Sequence, residues 1–208
     1  MSNFDKIKDQ ILSLYKNIDP GHGKFHITQC LKNAEYGFSK CDMINRYEKD
    51  FVLLTVSLHD IGLLPDLAKF KTSKTEKDEL RKIHNTLGAD IALAIYEEDP
   101  KFKTVKIDRE IFKRICDNWS KKEPDSKKGI HYLMHAIQHH RASVDQTTDL
   151  DKFVRCCDGL NDHKATLTRA YFYGEDHYPN LTGKEYIKRI KDHLTEKYLS
   201  KGYAENLP

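Results

Sequence analysis

Inside the apolar run LTVSLHDIGLLP, residues 54–65, His59 and Asp60 stand side by side. A buried imidazole needs a hydrogen-bond partner, and a buried carboxylate without one costs several kcal/mol. Val52, Val56 and His59 follow helical spacing, and Asp60 comes four residues after Val56, so both polar residues overlie the inward side of a helix. The same pattern recurs elsewhere. His84 lies in the stripe Leu80, His84, Leu87, Ile91, and His26 leads a face with Cys30 and Ala34. Asp158 follows Val154 by one helical turn, between Cys157 and Leu160. His140 shares a face with Leu133, Ala136 and Ile137, and His139 shares one with Tyr132, His135 and Ala136. One inward His is ordinarily a hydrogen-bonded core residue, and one inward Asp a cap or ion-pair partner. That reading strains when three or more His and two Asp turn inward from five helices, since each needs its own partner. A divalent metal answers all of them at once, neutralising the carboxylates and using the imidazole lone pairs.

These residues require helices to position them, and helical periodicity dominates the chain. Phe4, Ile7, Ile11, Leu14 and Ile18 predict a helix over 4–18, followed by the breaker Asp19-Pro20-Gly21-His22-Gly23. Further helices are expected at about 24–40, 46–61, 79–98, 107–119, 130–141, 149–161, 163–173 and 183–200, with polar loops at 66–78 and 120–129. No stretch alternates long enough for a strand, and no repeat or linker divides the chain. The expectation is one all-α domain over residues 1–208, with a core at about 20–165 and C-terminal helices 166–208 packed on it.

Composition limits the function classes. Charged residues make up 32% of the chain, yet the net charge is only +3, too little to argue for nucleic acid by itself. No segment reaches the roughly 18 apolar residues of a membrane span, and the acidic, interrupted start MSNFDKIKDQILSLYKNI does not read as a signal peptide. Five Cys without regular spacing, two of them adjacent at Cys156-Cys157, suit a reducing compartment. The expected location is the cytoplasm.

His26, His59-Asp60 within LHDIG, and Asp158 within VRCCDGLN form an ordered set that resembles the HD superfamily of metal-dependent phosphohydrolases. HGKFHITQCLKNA is similar to that family's opening helix, and CCDGLN to its closing motif. The likeness covers about residues 20–165 and implies an all-α fold around the metal. IHNTLGADIA around His84 and AIQHHRAS around His139-His140 resemble the extra ligands of the binuclear branch. By that resemblance, His26, His59 and Asp158 hold one ion, His84 with His139 and/or His140 a second, and Asp60 bridges both. Such N/O sets suit Mn²⁺, Fe²⁺, Co²⁺ or, less often, Mg²⁺, as one ion or two.

What the resemblance implies is hydrolysis of a phosphate monoester or diester, in a nucleotide or another small phosphorylated metabolite, by metal-activated water. Asp60 then has a catalytic role as the bridge. His22, four residues before His26, is placed as the proton donor to the leaving oxygen; a merely solvated turn residue is the other reading. Leu63 stands where many members carry a phosphate-binding Lys, so Lys69, Lys71 or Arg141 would have to supply that contact. No G-Y-P motif supports cyclic dinucleotide hydrolysis. Two other readings share the ligand order: a di-iron oxygenase related to myo-inositol oxygenase, and a non-catalytic HD sensor module. Residues 101–129 carry ten basic and five acidic side chains, but no recognition motif makes nucleic acid a partner. His131 or His135 could stand behind the ligands. His163, His177 and His193 read as surface residues, and Trp119 and Tyr171–Tyr173 as core. Oligomeric state is open.

Overall fold

Each expected stripe needs a defined start and stop, and local chemistry supplies most of them. In the computed structural model, which describes residues 1–18, 21–74, 76–120, 128–141, 143–159, 180–181 and 183–195, the first helix α1 spans Asn3–Leu14. A capping box opens it: Asp5 N–H donates to Ser2 Oγ, and the Asp5 carboxylate accepts from Ser2 N–H. Phe4, Ile7 and Ile11 are buried as the stripe requires, while its last turn tightens into a 3₁₀ turn at Tyr15–Asn17. Helix α2 runs Lys24–Phe38.

Helix α3, Lys49–Leu58, is buried on every side from Phe51 to Leu58. Fully burying residues such as Val52, Leu54 and Val56 is worth about 1.5–3 kcal/mol each, which outweighs the modest helix propensity of its Val and Thr residues. It stops sooner than the spacing predicts. His59 is the capping residue, Asp60 turns out of the helix, and Ile61–Leu63 forms a 3₁₀ turn. The reason lies at Gly62, whose backbone is pressed against the next long helix: a Cβ there would lie 2.0 Å from the His84 carbonyl oxygen. The expected loop after Pro65 begins instead with one helical turn, α4 (Pro65–Ala68), since Pro is pre-set for a first helical position.

The remaining helices are α5 (Lys77–Tyr96), α6 (Arg109–Ser120), α7 (Gly129–His139), α8 (Asp149–Gly159) and α9 (Gly183–Thr195). The described residues contain helices and turns and no strand, as an all-α domain requires. Helices α1, α2, α6, α7 and α8 all pack around α3, and α5 packs on α7 and on the 3₁₀ turn that follows α3. Trp119 is core as expected, stacked on Phe51 and Tyr47. The helix expected at 163–173, with His163 and Tyr171–Tyr173, lies outside the described residues, as do His177 and residues 196–200. Among the described residues, no helix is long and apolar enough to cross a membrane.

Candidate metal centre

Because α3 ends at the middle of the bundle, His59 and Asp60 meet side chains from four other helices. On one side stand His26 of α2 and Asp158 of α8. His26 Nε2 lies 3.3 Å from His59 Nε2 and 3.2 Å from Asp158 Oδ1. Asp60 Oδ2 faces this set, 3.6 Å from His26 Nε2 and 3.4 Å from His59 Nε2. On the other side, His84 of α5 and His140, the residue capping α7, approach with their Nε2 atoms 3.2 Å apart. Asp60 Oδ1 lies 3.4 Å and 3.7 Å from them. Adjacent ligands on one ion, bonded at about 2.1 Å, stand about 3.0 Å apart in octahedral and about 3.4 Å apart in tetrahedral geometry. The observed gaps have that size, and these groups could hold a metal ion.

Neighbouring backbone orients the imidazoles. His59 Nδ1–H donates to Val56 O at 2.7 Å, His84 Nδ1–H to Arg81 O at 2.9 Å, and His140 Nδ1–H to Ile137 O at 2.6 Å. Carbonyls only accept, so the proton of each neutral ring sits on Nδ1 and the Nε2 lone pair points inward. Side-chain amides brace the helices that carry these rings: Asn85 Nδ2 donates to Gln138 O, and Asn33 Nδ2 to Cys157 O. The Tyr15 hydroxyl donates to Ser57 O, beside the end of α3.

Charge makes the arrangement unusual. Burial, together with the positive charge of His59, pushes His140 down to about 3, and burial also lowers His84, so both rings are neutral near pH 7. Two lone pairs 3.2 Å apart then face a carboxylate oxygen. Burial opposes ionisation of Asp60, but the nearby charge of His59 outweighs it and holds the carboxyl well below its ordinary range. Burial likewise opposes a charge on His59, and Asp60 outweighs it, raising His59 to about 9. Asp60 Oδ2 is buried and makes no hydrogen bond among the described residues. A cation between the two sets would relieve each of these conflicts.

The other expected site residues fall at different distances. His22 is half-buried in the turn before α2, its ring 6.3 Å from that of His26. Arg141 donates to Lys82 O at 3.0 Å, and its charge is felt at His84. With the side chains of Asp158 and His84, 14% and 11% exposed against 4% or less for their fellows, they mark where the cluster meets solvent. Lys69 and Lys71 are not brought there. Lys69 pairs with Asp66 over the Phe70 ring, and Lys71 pairs with Asp99 over the Phe102 ring. Leu63 is buried in the core.

Of the vicinal pair, His140 joins the cluster and His139 does not. His139 stacks on His135 at 3.9 Å, and its Nδ1–H donates to the His135 carbonyl. His135 in turn meets Asp151 at 3.1 Å, and the other Asp151 oxygen accepts Thr147 and Thr148 N–H at the start of α8. These three residues lie near enough to suggest a further ion site. Their carboxylate, however, is already satisfied by donors, and nearly parallel stacked rings do not aim their in-plane lone pairs at one point. Cys30, which the sequence places only on the inward face of His26, stands beside that ring, with Sγ 3.5 Å from His26 Nε2. Its one-turn offset from His26 is the sequence signal of that proximity.

Comparison of the chain with protein-family models, with curated proteins and with solved structures returned no match.

Proposed function

We propose that the chain is a metal-dependent phosphohydrolase that cleaves a phosphate monoester or diester of a nucleotide or another small phosphorylated metabolite. The observation that carries the reading is Asp60, an ionised buried carboxylate with one oxygen toward the His26–His59–Asp158 set and the other toward His84 and His140. With one oxygen toward each set, Asp60 would serve both positions if two ions were bound, as in two-metal hydrolytic sites. The imidazole and carboxylate donors suit Mn²⁺, Fe²⁺ or Co²⁺ before Mg²⁺.

A bound divalent ion supplies Lewis acidity toward a phosphoryl oxygen and lowers the pKa of water. The chain supplies the rest. Asp60 fixes the spacing of the two ligand sets, and the backbone carbonyls of Val56, Arg81 and Ile137 lock the imidazoles in the ligating tautomer. His22, at the rim, would give a proton to a departing oxygen. Arg141, beside His84, offers a planar donor group to an anionic phosphate.

The test is elemental analysis of protein purified without added metal, followed by assays on p-nitrophenyl phosphate and bis(p-nitrophenyl) phosphate, then on a panel of phosphorylated metabolites. Bound metal and metal-dependent product release are expected. Both should vanish in Asp60→Ala while the helical circular dichroism remains. Full activity in that variant would end the reading. Bound iron with O₂ consumption and no ester cleavage would point instead to the di-iron oxygenase chemistry that the same ligand set can host.

A further inference from the structure

The two halves of the centre are not chemically alike. Cys30 lies one helical turn after His26 on α2, fully buried, with Sγ 3.5 Å from His26 Nε2. Its sulfur and the donor atoms of His26, His59 and Asp158 all lie within 4.8 Å of one another. No Cys lies in the corresponding group of Asp60, His84 and His140.

Burial of a cysteine is ordinarily packing, since the thiol behaves as a small hydrophobe. The geometry here goes further. A thiolate binds at about 2.3 Å and an imidazole at about 2.1 Å, which places two such ligands of one ion about 3.1 Å apart at a right angle and about 3.6 Å apart at the tetrahedral angle. The Sγ–Nε2 gap of 3.5 Å falls between these values, and Sγ also lies 3.9 Å from Nδ1, beside the ring, so the His26 imidazole would have to turn to bring its Nε2 lone pair onto an ion it shares with the sulfur. A second observation points at the same space: the buried Asp60 Oδ2, without a hydrogen bond among the described residues, is aimed into the set that Cys30 joins. One-turn spacing on a single helix also lets two side chains reach one ion.

We infer that Cys30 is a sulfur ligand of the ion held by His26, His59 and Asp158, and that this makes the two metal positions selective for different ions. The inference rests on the metal-centre reading above. Cys30 binds as the thiolate, its proton passing to solvent. With sulfur in its shell, that position favours Zn²⁺, Co²⁺ or Fe²⁺ over Mg²⁺ and Mn²⁺, whereas the nitrogen and oxygen set of Asp60, His84 and His140 accepts the harder ions. The sulfur-containing position is also the fuller one, so the three-residue set has more room for water and substrate.

Cobalt spectroscopy tests this independently of turnover. Metal-free protein, kept reduced with a phosphine in place of a thiol, is titrated with Co²⁺. The expected result is visible d–d bands together with sulfur-to-cobalt charge-transfer absorption in the near ultraviolet. The charge-transfer band should vanish in Cys30→Ser and Cys30→Ala and persist in Cys116→Ala, whose thiol lies on α6. In Cys30→Ser, the preference for Co²⁺ over Mg²⁺ at this position should fall at least tenfold in competition. Visible bands without charge transfer in the wild-type chain overturn the sulfur ligand alone, as does a charge-transfer band that survives both Cys30 variants. A chain that takes up no cobalt overturns the metal centre and the sulfur ligand together. The wild-type spectrum decides even if a Cys30 variant does not fold.

Discussion

Gly62→Ala probes the contact that ends α3 and thereby aims Asp60. The added Cβ would lie 2.0 Å from the His84 carbonyl oxygen, 2.7 Å from Gly88 N and 2.8 Å from the His84 carbonyl carbon. Even weakly attractive carbon–oxygen contacts stand at about 3.3 Å or more, so the shortfall is roughly 1.3 Å. All three neighbours are backbone atoms of α5, which cannot rotate aside. The 3₁₀ turn and α5 must therefore part by about 1 Å. Overpacking of this kind costs typically 1–3 kcal/mol, and an unyielding backbone puts the cost near the top, about 3 kcal/mol. For a chain of this length that is roughly 6–12 °C in melting temperature. The displacement also separates His84 from Asp60 by several times the roughly 0.2 Å that metal–ligand distances tolerate. Thermal and urea unfolding by circular dichroism, with metal content after dialysis, should show lower stability and loss of metal chiefly from the His84–His140 side. Gly88→Ala is the control. It presses on the same contact from the other side but less hard: Ile137 Cγ2 lies at 3.1 Å, a side chain that can yield, and the Gly62 backbone N at 3.3 Å, against which Ala gains about 1 kcal/mol over Gly in a helix. It should cost far less than Gly62→Ala. A Gly62→Ala protein that melts within about 2 °C of wild type with unchanged metal content would refute the reasoning.

Two further outcomes follow from the site. His140→Ala should lower metal content by about one ion per chain, whereas His139→Ala should leave it intact, because only the His140 Nε2 faces Asp60 and His84; equal losses measured by elemental analysis would undo that assignment. In the metal-free chain, His59 is raised from 6.5 to about 9. A raised value means that its contribution to stability is fully present below pH 6.5 and is lost as pH climbs through 9, by up to about 1.4 kcal/mol per pH unit. Metal displaces that proton, so the slope should disappear in the loaded protein, and affinity should rise up to tenfold per pH unit across the same window. Melts with and without chelator check this, and a flat metal-free profile contradicts it.

Periodicity alone was enough to place most helices, because each must bury a stripe: Phe4, Ile7 and Ile11 on α1, or Leu80, Leu87 and Ile91 on α5, could face only inward. The same test marked His26, His59, Asp60, His84 and Asp158, since a polar residue on an apolar stripe must be buried with whatever satisfies it. Sequence could not choose between His139 and His140. Adjacent residues at a helix end point about 100° apart, and only the packing of α7 on α5 decides which one meets His84. Nor did adjacency along the chain carry over into space for Lys69 and Lys71. The packing of Phe70 on Phe102 goes with ion pairs to Asp66 and Asp99, not with the buried His/Asp cluster. The end of α3 likewise depends on a contact between residues 22 positions apart, Gly62 against His84, which no local propensity encodes. What tertiary structure decided, therefore, was aim: that the two oxygens of Asp60 look in opposite directions, each toward a pair of imidazoles, and that the Cys30 sulfur stands on one side only. Burial is written in the composition of a helix face, but the direction of a buried lone pair is set by the helices that cross it.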